Sequence, residues 1–218
     1  MSGLFRGIAL TLSLLASAAC SAEPAAAEFK EGTHYKKVRE AQAPADPRRI
    51  SVEEFFWYGC GHCYRFEPAL EGWAARRPAD VDFVQVPNSL GRPEGILHSK
   101  AYYAAEALGV LAKMHPQIFA AMHERRFPLN TESQIATLFE TQSSVLPDVF
   151  AATFNGFAVD SRVRRAEALS RSYGISSTPT IVVGGTYYTN PGLAGDFQQM
   201  LRLTDHLIAK VRKERGGK

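Results

Sequence analysis

The sequence predicts an α/β fold interrupted by an all-helical insertion. Three observations predict it. A run of β-branched, aromatic and apolar residues, ISVEEFFWY at 50–58, passes directly into a segment with helical periodicity. Residues 95–165 are rich in Ala, Leu and aromatics at helical spacing. The strand pattern then returns in TPTIVVGGTYYTN at 178–190, ahead of a last amphipathic segment.

Each element has a local cause. THYKKVRE (33–40) reads as a short strand, and the prolines of EAQAPADPRR (40–49) mark a connection. Residues 50–58 read as a buried strand. From Cys60 to about Arg77, Phe66, Leu70 and Trp73 recur at spacings of four and three, a helical stripe. ADVDFVQVP (79–87) is a second strand, ended by Pro87. In ILHSKAYYAAEALGVLAKMHPQIFAAMHERRF (96–127), Gly109 and Pro116 are expected breaks. Thr131 and Gln134 carry the spacing of a capping box before another helix, and two further helices cover 146–157 and 158–174. Ile181–Val183 and Thr186–Thr189 flank Gly184-Gly185, expected to be a two-residue hairpin turn. The final helix, 196–215, turns Phe197, Met200, Leu201, Leu207 and Ile208 inward and ends in the basic KVRKER, suited to a helix C-terminus. This order is that of a thioredoxin fold with an all-helical insertion.

The expected domains are a signal sequence at 1–19, a flexible tether at 20–28, a thioredoxin-like body at 29–94 and 166–218, and the insertion at 95–165. Arg6 precedes the apolar run GIALTLSLLASAA, too short for a comfortable membrane span and ending in small residues, as in export signals. Export implies a compartment where disulfides persist. LLASAAC resembles a bacterial lipobox, which makes Cys20 a candidate for lipidation; Ala18 and Ala19 suit that pattern and Ser17 departs from it. Cleavage after Ala18 or Ala27 by an ordinary signal peptidase is the alternative, so the chain is either soluble or tethered by a lipid at Cys20. A net charge of +3, with its arginines in short clusters mixed among apolar residues, offers no nucleic-acid surface.

Two of the three cysteines, Cys60 and Cys63, lie in FFWYGCGHCYRFEP. A structural zinc site usually takes four Cys or His ligands, and no second CxxC exists. Covalent haem needs His after the second cysteine, where this chain has Tyr64. A disulfide spanning two residues closes a tiny loop and removes little unfolded-state entropy. A redox couple has a positive case: Cys60 falls at a helix start, where free N–H groups and the helix dipole favour a thiolate. Cys63 is one turn further in. Gly61 lets the backbone approach closely, and His62 can donate a hydrogen bond or positive charge to the sulfur. The lower the Cys60 pKa, the more the reduced form is favoured.

These residues, with SSTPTIVVGG downstream, resemble the active-site segment and cis-proline loop of the DsbA family of bacterial periplasmic thiol:disulfide interchange proteins, over about 29–213. The resemblance implies that Cys60 is the exposed nucleophile and Cys63 the buried resolving cysteine. It implies that Glu54 is a buried acid assisting proton transfer, that Glu67 is either a second acid near the site or a solvated helix residue, and that Pro179 is a cis-proline presenting the Thr178 backbone to an extended substrate. It implies no cofactor beyond a Cys60–Cys63 disulfide. The implied partners are reduced or unfolded exported proteins, and a membrane DsbB-type quinone-coupled oxidase that restores the disulfide. The chain departs from the family's best-known members in having Gly61 where they carry Pro; CGHC is the motif of eukaryotic disulfide isomerases, which leaves the oxidising strength open.

Two other functions compete. One is an isomerase or reductase with a less oxidising site, although the chain has no room for the dimerisation domain of bacterial isomerases and reads as a monomer. The other is a non-catalytic holder of unfolded chains, for which Tyr102, Tyr103, Phe119 and Phe127 would supply apolar surface; aromatics at helical spacing more often form core.

Overall fold

The computed structural model describes residues 29–44 and 46–216. The expected signal sequence, the tether and Cys20 lie outside the described residues. The elements run β1 (Lys36–Lys37), β2 (Ile50–Phe56), α1 (Gly61–Ala74), β3 (Val81–Pro87), α2 (Pro93–Ala107), α3 (Leu111–His123), α4 (Glu132–Ser143), α5 (Pro147–Phe154), α6 (Phe157–Tyr173), β4 (Thr180–Val183), β5 (Tyr187–Thr189), α7 (Pro191–Ala194) and α8 (Phe197–Gly216).

The strands form one mixed sheet in the order β1-β5-β4-β2-β3. The pair β2–β3 is parallel and joined across α1, in register from Ile50 opposite Val81 to Phe56 opposite Pro87. The pairs β2–β4, β4–β5 and β1–β5 are antiparallel. Because side chains alternate along a strand, the central strands serve two cores. Ile50, Val52, Ile181 and Val183 pack with Phe66, Leu70 and Trp73 of α1 and with Met200, Leu203 and Leu207 of α8. Phe55 and Val182 face the other side, into a core built with α2 to α6. All four residues of β4 are buried, the pattern of a strand covered on both faces. The same alternation puts Glu54 on the α1 side and Glu53 on the α6 side.

The capping box forms at α4: Gln134 N–H donates to Thr131 Oγ1 at 3.3 Å, and Thr131 N–H donates back to Gln134 Oε1 at 3.2 Å. Two expectations are corrected. Pro116 does not break a helix, since it lies inside α3, where only its own missing N–H is lost; the break falls at Gly109, with φ +70°. The Gly184-Gly185 turn forms, closed by Thr186 N–H donating to the Val183 carbonyl at 3.1 Å with φ of +62° and +66°, but the second strand starts at Tyr187 and not at Thr186, since the ladder pairs Val183 with Tyr187. The boundaries expected at 94/95 and 165/166 fall inside α2 and α6, both continuous helices that pack on each other as well as on the sheet. Among the described residues no helix is long and apolar enough to cross a membrane.

Candidate active site

The parallel strand β2 ends at Phe56, and the chain turns through Trp57, Tyr58 and Gly59 before α1. Cys60 N–H closes this turn on the Trp57 carbonyl at 2.9 Å. Gly59 is required by close approach, because a Cβ there would lie 2.3 Å from the Trp57 ring. Cys60 is the N-cap of α1, with extended φ −89° and ψ 111°, and no side chain caps the helix. The free N–H groups of the first turn therefore face the Cys60 sulfur.

Both cysteines are free thiols, Cys60 half-buried and Cys63 fully buried. The Cys60 pKa is lowered to about 5, chiefly by a hydrogen bond from the Cys63 thiol. Burial opposes the shift, while the Thr178 side chain and the backbone N–H groups of Cys63 and His62 add to it. Burial pushes the Cys63 thiol well above its ordinary value, and its bond to Cys60 and the charge of Glu54 push the same way. Two sulfurs one helical turn apart thus hold opposite protonation preferences, one a thiolate near neutral pH and the other a thiol.

Of the expected site residues, His62 contributes through its backbone. Its side chain is exposed, and no hydrogen bond from its ring to either sulfur forms among the described residues. Residues 178–179 arrive from across the sheet, where β4 pairs with β2. The Thr178–Pro179 peptide bond is cis, and the Thr178 carbonyl accepts from the Cys60 thiol at 3.3 Å.

Beneath the cysteines is a buried polar cluster. Glu54, fully buried on β2, accepts through Oε2 from Gln85 Nε2 at 2.9 Å, while its Oε1 is buried without a partner among the described groups. The register of β2 and β3 sets Glu54 opposite Gln85. The same Gln85 amide lies 3.1 Å from Glu67 Oε1. Glu67 is buried and bonded to His115 Nε2 at 3.0 Å, so it is the second acid of the site and not a solvated helix residue. His115 Nδ1 reaches the Tyr58 hydroxyl at 2.6 Å. Burial raises the Glu54 carboxyl well above the carboxylate range, and the charge of Glu67 adds to this.

The rim is aromatic and polar. Trp57 Nε1 donates to His98 Nδ1 at 2.9 Å, with the Arg92 guanidinium over its ring. Tyr64 stacks on His123, whose Nε2 lies 2.7 Å from the Tyr58 carbonyl, and its hydroxyl donates to Glu124. Tyr102 and Phe119 belong to the core, whereas Phe127 packs on it half-buried. Sequence reasoning missed Gln85, His115 and His123. The one available signal was Gln85 itself, a long polar residue in an otherwise apolar stretch of strand. Among the described residues no His, Cys, Asp and Glu group is placed to hold a metal ion. A buried thiol, a low-pKa thiol and an acid beneath them form a set suited to moving a disulfide together with its proton.

Known proteins of the same build were found by three comparisons. The model of the DSBA-like thioredoxin domain family matches residues 51–203. The chain is 34% identical over 209 residues to the thiol:disulfide interchange protein DsbA of Pseudomonas aeruginosa, covering 95% of this chain and 97% of that relative. It is 37% identical over 186 residues to the protein of that name from Azotobacter vinelandii, covering 85% and 86%. The crystal structure of Pseudomonas aeruginosa DsbA superposes with a TM-score of 0.80 at 33% identity, covering 85% of this chain and 96% of that one. The oxidoreductase DsbA from Xylella fastidiosa superposes with a TM-score of 0.75 at 35% identity, covering 83% and 96%.

Proposed function

The chain belongs to the DsbA family and is a thiol:disulfide oxidoreductase, and from that premise we propose how its residues carry the exchange. In the oxidised protein Cys60 and Cys63 share a disulfide, the redox group of the exchange. A substrate thiolate attacks Cys60 Sγ; the Cys60–Cys63 bond breaks, a mixed disulfide forms, and the electron pair remains on Cys63 Sγ, which takes a proton. A second substrate thiolate then attacks the substrate sulfur of the mixed disulfide. Cys60 leaves as a thiolate, the substrate keeps the disulfide and the protein is left reduced. In the reverse direction Cys63 attacks Cys60 and releases the substrate.

One observation carries the direction: Cys60 sits at the N-cap of α1 with its pKa lowered to about 5. A stabilised thiolate is a good leaving group and favours the reduced protein, so the disulfide passes to the substrate. Glu54, buried below Cys63, is the proton donor and acceptor for that sulfur. The Thr178 backbone pairs with an extended substrate chain beside Pro179, a role supported by the 3.3 Å approach of its carbonyl to Cys60. His62 supplies a backbone donor to the thiolate.

The substrates are reduced exported proteins, met in the periplasm by a monomer. A DsbB-type quinone-coupled membrane oxidase restores the disulfide. The chain is released by cleavage of its leader or is held to the membrane by a lipid at Cys20; absence of fatty-acid label on the wild type would remove the tether. The exchange is tested by mixing the oxidised full chain with a reduced dithiol peptide and equilibrating the Cys60–Cys63 couple with glutathione. Peptide oxidation and a potential well above that of cytosolic thioredoxin are expected. A potential as reducing as thioredoxin's would turn the reading to a reductase.

A further inference from the structure

The buried cluster holds two carboxyls that converge on one amide. Gln85 Nε2 is 2.9 Å from Glu54 Oε2 and 3.1 Å from Glu67 Oε1, and its two N–H groups can serve both. Both carboxyls are buried on the same amide, and like charges so placed make it costly to ionise both, so a single proton held between them relieves the repulsion. Their surroundings decide which of them keeps it.

Glu67 has what an anion needs. His115 Nε2 lies 3.0 Å from its Oε1, and both residues line a cavity of about 390 Å3 that also reaches Glu71 and Arg77. Glu54 has neither, being fully buried with Oε1 unpartnered. An unpaired anionic oxygen in a dry site costs more than a protonated one.

His115 is held for this task. Its ring is fixed edge-on against Phe56, Tyr102 and Phe119, at centroid distances of 5.3, 5.9 and 5.1 Å. Its Nδ1 meets the Tyr58 hydroxyl at 2.6 Å, a group that can either donate or accept. The Tyr58 hydroxyl therefore holds the ring with Nε2 turned toward Glu67. The polar groups around it are Tyr58 from the β2–α1 turn, Glu67 from α1, Glu54 from β2, Gln85 from β3 and Tyr102 from α2, with Glu71 and Arg77 across the cavity.

We infer that His115 is a positioning residue which, through Glu67, fixes the shared proton on Glu54, beneath Cys63. The inference rests on the exchange reaction proposed above. When the Cys60–Cys63 bond opens, the electron pair left on Cys63 Sγ takes the Glu54 proton. Glu54 becomes a carboxylate and is reprotonated from solvent by way of the Glu67–His115 cavity. In the reverse reaction the Glu54 carboxylate receives the proton of Cys63 before that sulfur attacks.

The test is infrared spectroscopy of the protonated-carboxyl stretch in the full chain at neutral pH, with the pH–rate profile of dithiol-peptide oxidation measured on the same samples. In the wild-type background Glu54→Gln removes the band and Glu67→Gln leaves it. In a His115→Phe background the band survives Glu54→Gln, because the proton has moved to Glu67, and oxidation near neutral pH slows about tenfold. His115→Gln, which keeps a donor for Glu67, keeps the wild-type band assignment and pH–rate profile. A wild-type band that follows Glu67, or a His115→Phe chain with unchanged band assignment and pH profile, overturns the inference. Should His115→Phe fail to fold, the wild-type assignment and the His115→Gln profile decide. Failure of the wild type to oxidise the peptide would sink the exchange reading instead, and leaves the band assignment readable.

Discussion

The sulfur of Cys60 lies 3.3 Å from the carbonyl oxygen of Thr178, 118 residues further along the chain. The contact exists because β4, which follows the Thr178–Pro179 bond, pairs antiparallel with β2, which precedes the cysteines. The Thr178 side chain also lowers the Cys60 pKa, by less than the Cys63 thiol does. Thr178→Val, similar in shape but without a hydroxyl, should therefore raise the Cys60 pKa above about 5, and Cys63→Ala should raise it further. Thiolate ultraviolet absorbance against pH measures both. Equal shifts, or a larger one in the valine variant, would contradict the order of donors.

A second prediction follows from linkage. The folded pKa of Cys60, about 5, lies below the ordinary thiol value of 9.0, so between these pH values the unfolded reduced chain binds more protons than the folded one. Stability of the reduced form must then rise with pH across that window. The contribution is full above about 9 and lost as pH falls through about 5. Denaturant titrations of the reduced chain against Cys60→Ala, from acidic to alkaline pH, should show the difference growing in that direction. A flat difference would place the thiolate outside the site described.

Glu54 runs the opposite way. Its folded pKa is raised well above 4.5 by burial, so its contribution is present below 4.5 and lost as pH rises through the folded value. Glu54→Gln keeps the shape and removes the titration. The variant should match the wild type near pH 4.5 and exceed it at neutral pH, by about 1.4 kcal/mol for each pH unit above 4.5 over which Glu54 keeps its proton. In the same variant Cys63 loses its proton partner, and peptide oxidation should fall about a hundredfold. A Gln variant that is both less stable and fully active would remove Glu54 from the mechanism.

The order of elements, the CxxC at a helix start and the capping box at Thr131 were legible because each is a local pattern, whereas the choice of Glu54 as the buried acid came from the family resemblance. Period-two alternation alone sends Glu54 and Glu53 to opposite faces. What was not legible depends on register and packing between distant segments. Gln85 becomes part of the site only because it lies opposite Glu54 in the ladder, and His115 only because α3 packs against α1. The helices at the two ends of the insertion run on without a break for a related reason. Helical periodicity reports a stripe of apolar residues, not which body that stripe covers, and α2 and α6 cover both.

Gly61 is where the sequence left the oxidising strength open, and the geometry gives a prediction for it. Gly61 is the first residue of α1, where proline is favoured because that N–H has no helical partner. A Cβ there would meet Arg65 Nη1 at 3.4 Å and His123 Cε1 at 4.0 Å, ordinary contacts with the ends of side chains. The backbone donors that hold the Cys60 thiolate belong to His62 and Cys63, and a proline at 61 removes neither. Gly61→Pro should therefore fold, gain roughly 0.4–1 kcal/mol by restricting the unfolded chain, and leave the Cys60 pKa near about 5. Its reduction potential, read against glutathione beside that of the wild type, should then stay close to the wild-type value. A large rise in potential with an unchanged Cys60 pKa would mean that the residue at 61 acts on the disulfide form, not on the thiolate.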